Sequence, residues 1–103
     1  MKIFKTFLSG SLAFSLMIAA VDCLAYSGEK LSGEAKITIS AARAAALNAY
    51  PGKITDEELE KESGGSGLRY SFDIQHDKIT HEVGIDAKTG LVLENSLEGP
   101  HPD

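Results

Sequence analysis

The stretch that most restricts the fold is "LRYSFDIQH" at residues 68–76. Leu68, Tyr70, Phe72 and Ile74 fall on one side of an extended chain, and Arg69, Ser71, Asp73 and Gln75 on the other. Alternation with period two, rich in aromatic and β-branched residues, predicts a half-buried strand. The next stretch, "ITHEVGIDA" at 79–87, alternates again after the turn "HDK", with Ile79, Val83 and Ile85 in phase. "DAKTG" at 86–90 then reads as a hairpin connection, with Gly90 at the left-handed position, leading into a short strand "LVLEN". Strands joined by turns this short run antiparallel.

A meander with one apolar face needs a cover. "ITISAARAAALNAYPG" at 37–52 supplies a helix. Thr38 or Ser40 can cap its start, alanine is the best helix former, and Pro51 stops it. Ile39, Ala42, Ala46, Ala49 and Tyr50 recur at helical spacing as a thin apolar stripe. So much alanine lets a helix lie close against a sheet. The residues between helix and meander, "KITDEELEKES" at 53–63, read two ways. Thr55 and Glu58 form a helical capping box, yet only Ile54 and Leu59 are apolar. As a strand the segment is a charged edge, which discourages pairing with strangers. "GGSG" at 64–67 is a turn. The predicted fold is α+β, one N-terminal helix on a three- to four-stranded antiparallel sheet.

The chain does not begin with this unit. Lys2 and Lys5 precede the apolar run "TFLSGSLAFSLMIAAV", and Cys23 and Ala25 stand at the −3 and −1 positions of a small-residue cleavage site. This is the pattern of a secretory signal peptide, residues 1–25. The run is short for a membrane span, and no basic cluster follows it. Asp22 before Cys23 argues against lipid attachment. Residues 26–36 read as a flexible polar leader, 37–97 as the folded domain and 98–103 as an extended tail. Cleavage after Ala25 leaves no cysteine, hence no disulfide. Beyond Ala25, 14 acids face 8 bases. With no basic cluster, nucleic acid and anionic membrane surfaces are poor partners, whereas a basic protein surface is attracted.

Three stretches together are similar to the PepSY domain family: "AARAAALNAYPGKI" at 41–54, "ELEKESGGSGLRYSFDI" at 58–74 and "HEVGIDAKTGLVLEN" at 81–95. The resemblance implies a helix packed on an antiparallel sheet, with "KITDEELEKE" in the first strand. It implies a non-catalytic module that binds or restrains peptidases, seen in propeptides of thermolysin-type metallopeptidases and in small exported proteins. No peptidase domain follows here, so restraint within one chain is not expected.

The residues offer no chemistry of their own. His76, His81 and His101 lack the spacing of a zinc site. His81 shares the phase of Val83 and Ile85 and is expected as a hydrogen-bonded histidine at the sheet margin. The acids of "DEELEKE" at 56–62 share one solvated face, so they do not form the differentiated pair that acid–base catalysis needs. Ser63, Ser66 and Ser71 lack a nucleophile elbow. Glu82 points away from His81 on a strand. Asp86 is expected to bind turn amides rather than substrate. We therefore expect no catalytic, cofactor-binding or metal-binding residues and no cofactor. The partner expected is a protein, such as a secreted or envelope peptidase, for a protein exported to the periplasm or beyond. A structural or ligand-binding envelope module is the alternative, and an unrecognised hydrolase a distant third.

Overall fold

The computed structural model describes residues 25–98. The cleavage signal up to Leu24, and His101 with the rest of the tail after Glu98, lie outside the described residues. Helix α1 spans Ile39–Ala49, and four strands follow: β1 Lys53–Lys61, β2 Leu68–His76, β3 Ile79–Asp86 and β4 Val92–Leu97. They form one antiparallel sheet in sequential order.

Thr38 caps α1, its hydroxyl accepting from the Ala41 amide at 3.1 Å. Ile39, Ala42 and Ala46 are the buried stripe. They meet the apolar face of the meander, where Tyr70, Phe72, Ile74, Val83 and Ile85 are fully enclosed. The phase of both central strands is as the alternation predicts.

The segment with two readings is strand β1. Ile54 and Leu59 are five residues apart, so a regular strand would send them to opposite faces. A bulge between Ile54 and Asp56 shifts the register and turns both toward the core. The same shift brings Glu57 to the helix side, where it accepts two hydrogen bonds from Arg43 of α1, at 2.5 and 3.1 Å. A helix over these residues would have forfeited that pair along with the Leu59 burial.

The leader is not loose. Residues Glu29–Glu34 form a 3-10 turn, and Ser27 pairs in parallel with Glu58 on the outer edge of β1. Tyr26, Leu31, Ala35 and Ile37 pack on the core. The reason is width. A helix is about 10 Å across, whereas four strands at about 4.8 Å spacing are nearly twice that. α1 lies over β2, β3 and β4, and the leader covers what remains. Strand β4 also runs to Leu97, two residues beyond "LVLEN", because Ser96 and Leu97 still pair with Glu82 and His81.

Gly90 has φ 82°, as its place in the turn predicts. A β-branched residue there is strained by about 1 kcal/mol or more. Gly90→Val should lower the melting temperature by about 4–8 °C for a domain of this size. An unchanged calorimetric melt would mean that the turn does not constrain this position.

Candidate interaction surface

Several polar groups of the two central strands and their turns are spent on structure. Asp86, almost wholly enclosed, accepts from the Ser66 amide (2.6 Å) and hydroxyl (2.7 Å) with its two oxygens. It also accepts from the amides of Lys88 (2.8 Å) and Thr89 (3.1 Å). Burial disfavours the charge, yet these four donors outweigh it and hold the carboxyl down at about 2. The residue thus fixes its own hairpin, as expected. It also ties that hairpin to the GGSG turn, which the sequence did not reveal. Its Oδ1 accepts three of these hydrogen bonds and its Oδ2 the fourth.

His81 lies at the sheet margin beneath the end of α1. Its ring stacks on Tyr50, centroids 3.8 Å apart and planes 2° from parallel. Its Nδ1 donates to Asn95 Oδ1 at 2.8 Å, while Asn95 Nδ2 donates to the Ala49 carbonyl at 3.4 Å. That second bond favours the amide orientation in which Asn95 Oδ1 faces the histidine and Nδ1 carries the proton between them. His76 is exposed, 3.6 Å from its neighbour Asp77, with its ring edge-to-face to Tyr50 at 6.3 Å between centroids. Ser71 bonds Glu60, and Ser66 is held by Asp86. Among the described residues, no three of His, Cys, Asp and Glu gather as a metal-holding group.

The sheet face opposite the helix carries no second layer among the described residues. Pairing places Asp56, Glu58 and Glu60 of β1, Asp73 of β2, Glu82 of β3 and Glu94 of β4 on it. Arg69 lies across the middle, 3.3 Å from Glu94 and 3.8 Å from Glu62, with its guanidinium donating to the Ser63 carbonyl at 3.1 Å. Gly84 makes room for it, since a Cβ there would come within 2.9 Å of Arg69 Cδ. A strand glycine is a signal of close approach, and "EVGID" carried that signal unread. One arginine does not neutralise the face. Burial and then the neighbouring acids raise the carboxyls of Asp73 and Glu82 above their ordinary range. Burial, a shared hydrogen bond with Glu62 and the charge of Glu58 do the same to Glu60.

The family model described as "Peptidase propeptide and YPEB domain", PepSY, matches residues 36–95, well over half of the chain. The chain belongs to the PepSY family. No curated protein and no solved structure matches it. PepSY domains are generally non-catalytic regulatory or propeptide modules, found in peptidase propeptides and inhibitor-like proteins. They occur in exported proteins, and no described helix is long and apolar enough to cross a membrane.

What this PepSY domain presents to a partner is therefore its acidic face and its two sheet edges, which differ. On β1, Ser27 takes the edge position, donating to the Glu57 carbonyl (3.4 Å) and accepting from the Leu59 amide (2.8 Å). The bulge at Thr55 breaks the rest of that edge. On β4 no described segment pairs with the outer side. The large apolar residues most open to solvent gather there: Leu91, Val92 and Leu97, with Ile79 at the neighbouring start of β3.

Proposed function

We propose that the protein is a non-enzymatic exported PepSY protein that binds and inhibits a peptidase or another envelope protein. The observation that carries this reading is the β4 edge, a strand whose outer side no described segment pairs and which is flanked by exposed apolar side chains, while Asp86, Ser66 and His81 are engaged in holding the fold. Domains of this family are found in peptidase propeptides and inhibitor-like proteins, which supports the reading. An exposed edge strand is a standard way for a small domain to hold a second chain, because backbone hydrogen bonds supply affinity and alternate side chains supply specificity. The reading divides the chain into a signal peptide at 1–25, a leader at 26–36, the PepSY domain at 37–97 and a tail at 98–103.

Affinity capture from the exported fraction tests it. The recovered bait should begin near Tyr26 on N-terminal sequencing, and a secreted or envelope peptidase should copurify and lose activity on adding the pure protein. A full-length bait held in the inner membrane would overturn the export. Recovery of only cell-wall material or small ligands would overturn peptidase binding and leave a structural or ligand-binding module.

A further inference from the structure

The register of β4 narrows the surface to a few backbone groups. The Glu98 amide donates to the Thr80 carbonyl at 2.9 Å. In an antiparallel pair, inward and outward hydrogen-bonding residues alternate along a strand. Ser96 and Glu94 then face β3, and Asn95 and Leu97 turn their N–H and C=O groups away from the sheet. The two sides of this edge differ in kind. On the helix side stand Val92 and Leu97, 48% and 65% exposed, with Ile79, 51% exposed, close by. On the open side stand Glu94, Glu82 and Glu98. Glu82 and Glu98 have no cationic partner among the described residues, whereas Glu94 already holds Arg69.

We propose that β4 is the recognition edge and that its occupant is an extended segment of a partner protein in which apolar residues alternate with lysine or arginine. Such a strand would hydrogen-bond the outward groups of Asn95 and Leu97. Its apolar side chains would extend the helix-side layer over Leu97 and Val92, and its cations would meet Glu82 and Glu98. Charge decides against a second copy of this chain. Antiparallel pairing of β4 with itself would bring the Glu94 and Glu98 side of each copy against that of the other, on a chain of net charge −5. The other edge is excluded by Ser27 and by the bulge.

The proposal rests on the protein-binding reading above, and a peptide experiment separates the two. The probe is a synthetic peptide of alternating lysine and valine, about the length of β4, titrated into the isotope-labelled protein at low salt. The amides of Asn95 and Leu97 should shift most and exchange with solvent about tenfold more slowly. The peptide with glutamate for lysine should bind at least about tenfold more weakly, and added salt should weaken the lysine peptide. Leu97→Pro removes an outward amide that no described group uses, and a proline is tolerated on an edge. It should abolish binding. Should it perturb the fold, Glu82→Gln with Glu98→Gln should still lower affinity and flatten the salt dependence. Shifts confined to β1 would overturn the edge assignment and leave the protein-binding reading standing. No binding of the lysine peptide would overturn the proposal, and peptidase capture would then judge that reading alone. Asn95 and Leu97 amides already protected in the isolated protein would also overturn it, since a second copy or the chain's own termini would then fill the edge.

Discussion

Phe72→Ala should cost about 3–5 kcal/mol, the range for emptying an aromatic site in a core that cannot collapse around it. Phe72 is fully enclosed in β2, an inner strand, with Val83 opposite on β3 and Glu57 opposite on β1. Strands on both sides fix the backbone, and the helix above presents mostly methyl groups, so nothing nearby can swing in to fill the space. A domain of this size has roughly 4–10 kcal/mol in all, at about 0.05–0.15 per residue. The variant should therefore be largely unfolded at the temperature where the parent melts, with a urea midpoint far below it. The adjacent Asp73→Ala is the control. Its carboxyl lies on the acidic face, raised by burial and by Glu98, Asp56 and Glu58, so removing it should be close to neutral. An Asp73→Ala variant weaker than Phe72→Ala would invert the phase of the strand.

The second large effect is at Asp86. Asp86→Ala should destabilise the domain by about 3 kcal/mol, because it strands the Ser66, Lys88 and Thr89 amides and the Ser66 hydroxyl in a partly buried site. Two loops are loosened at once, so the β1–β2 and β3–β4 turns should lose exchange protection together. Loss at one turn only would mean that Asp86 does not couple them. The same residue sets the acid limb of stability. Its folded pKa, about 2, is below the unfolded value near 3.9. Its contribution, of order 2 kcal/mol, is therefore fully present above about pH 4 and is lost as pH falls toward 2. Glu60, Asp73 and Glu82 work in the opposite sense. Their pKa values are raised in the fold, so the folded state binds protons more readily and gains stability as pH falls from neutrality through the upper carboxylate range. The two effects place the stability maximum at mildly acidic pH, above the loss of Asp86 and below full ionisation of the face. Urea titrations across pH 2–8 should show that maximum, and Asp86→Asn should remove most of the fall on its acid side. A profile that rises steadily to pH 8 would show that repulsion on the open face is negligible.

The central meander and its helix were legible because their information is local. Alternation in "LRYSFDIQH" and "ITHEVGIDA" fixes which side chains share a face, whatever lies elsewhere in the chain. Thr38, Pro51 and Gly90 act within a few residues of themselves, through capping, ring closure and positive φ. His81 at the margin and Asp86 in its turn followed from the same short-range geometry. Residues 53–63 were undetermined by local rules, because capping box and charged edge both satisfied them. The choice fell to Arg43 meeting Glu57 and to a bulge that aligned Ile54 with Leu59, contacts between segments that only folding brings together. The leader, polar and glycine-bearing, gave no sign of its own that it would cover β1. It does so because the helix is too narrow for the sheet. The tie from Asp86 to Ser66, the lodging of Arg69 over Gly84 and the contrast between a guarded β1 edge and an open β4 edge are likewise products of register and layer width. A sequence specifies the periodicity of each strand by the stereochemistry of neighbouring residues. Which edge stays open depends on how many strands one short helix can cover, and only the assembled layers decide that.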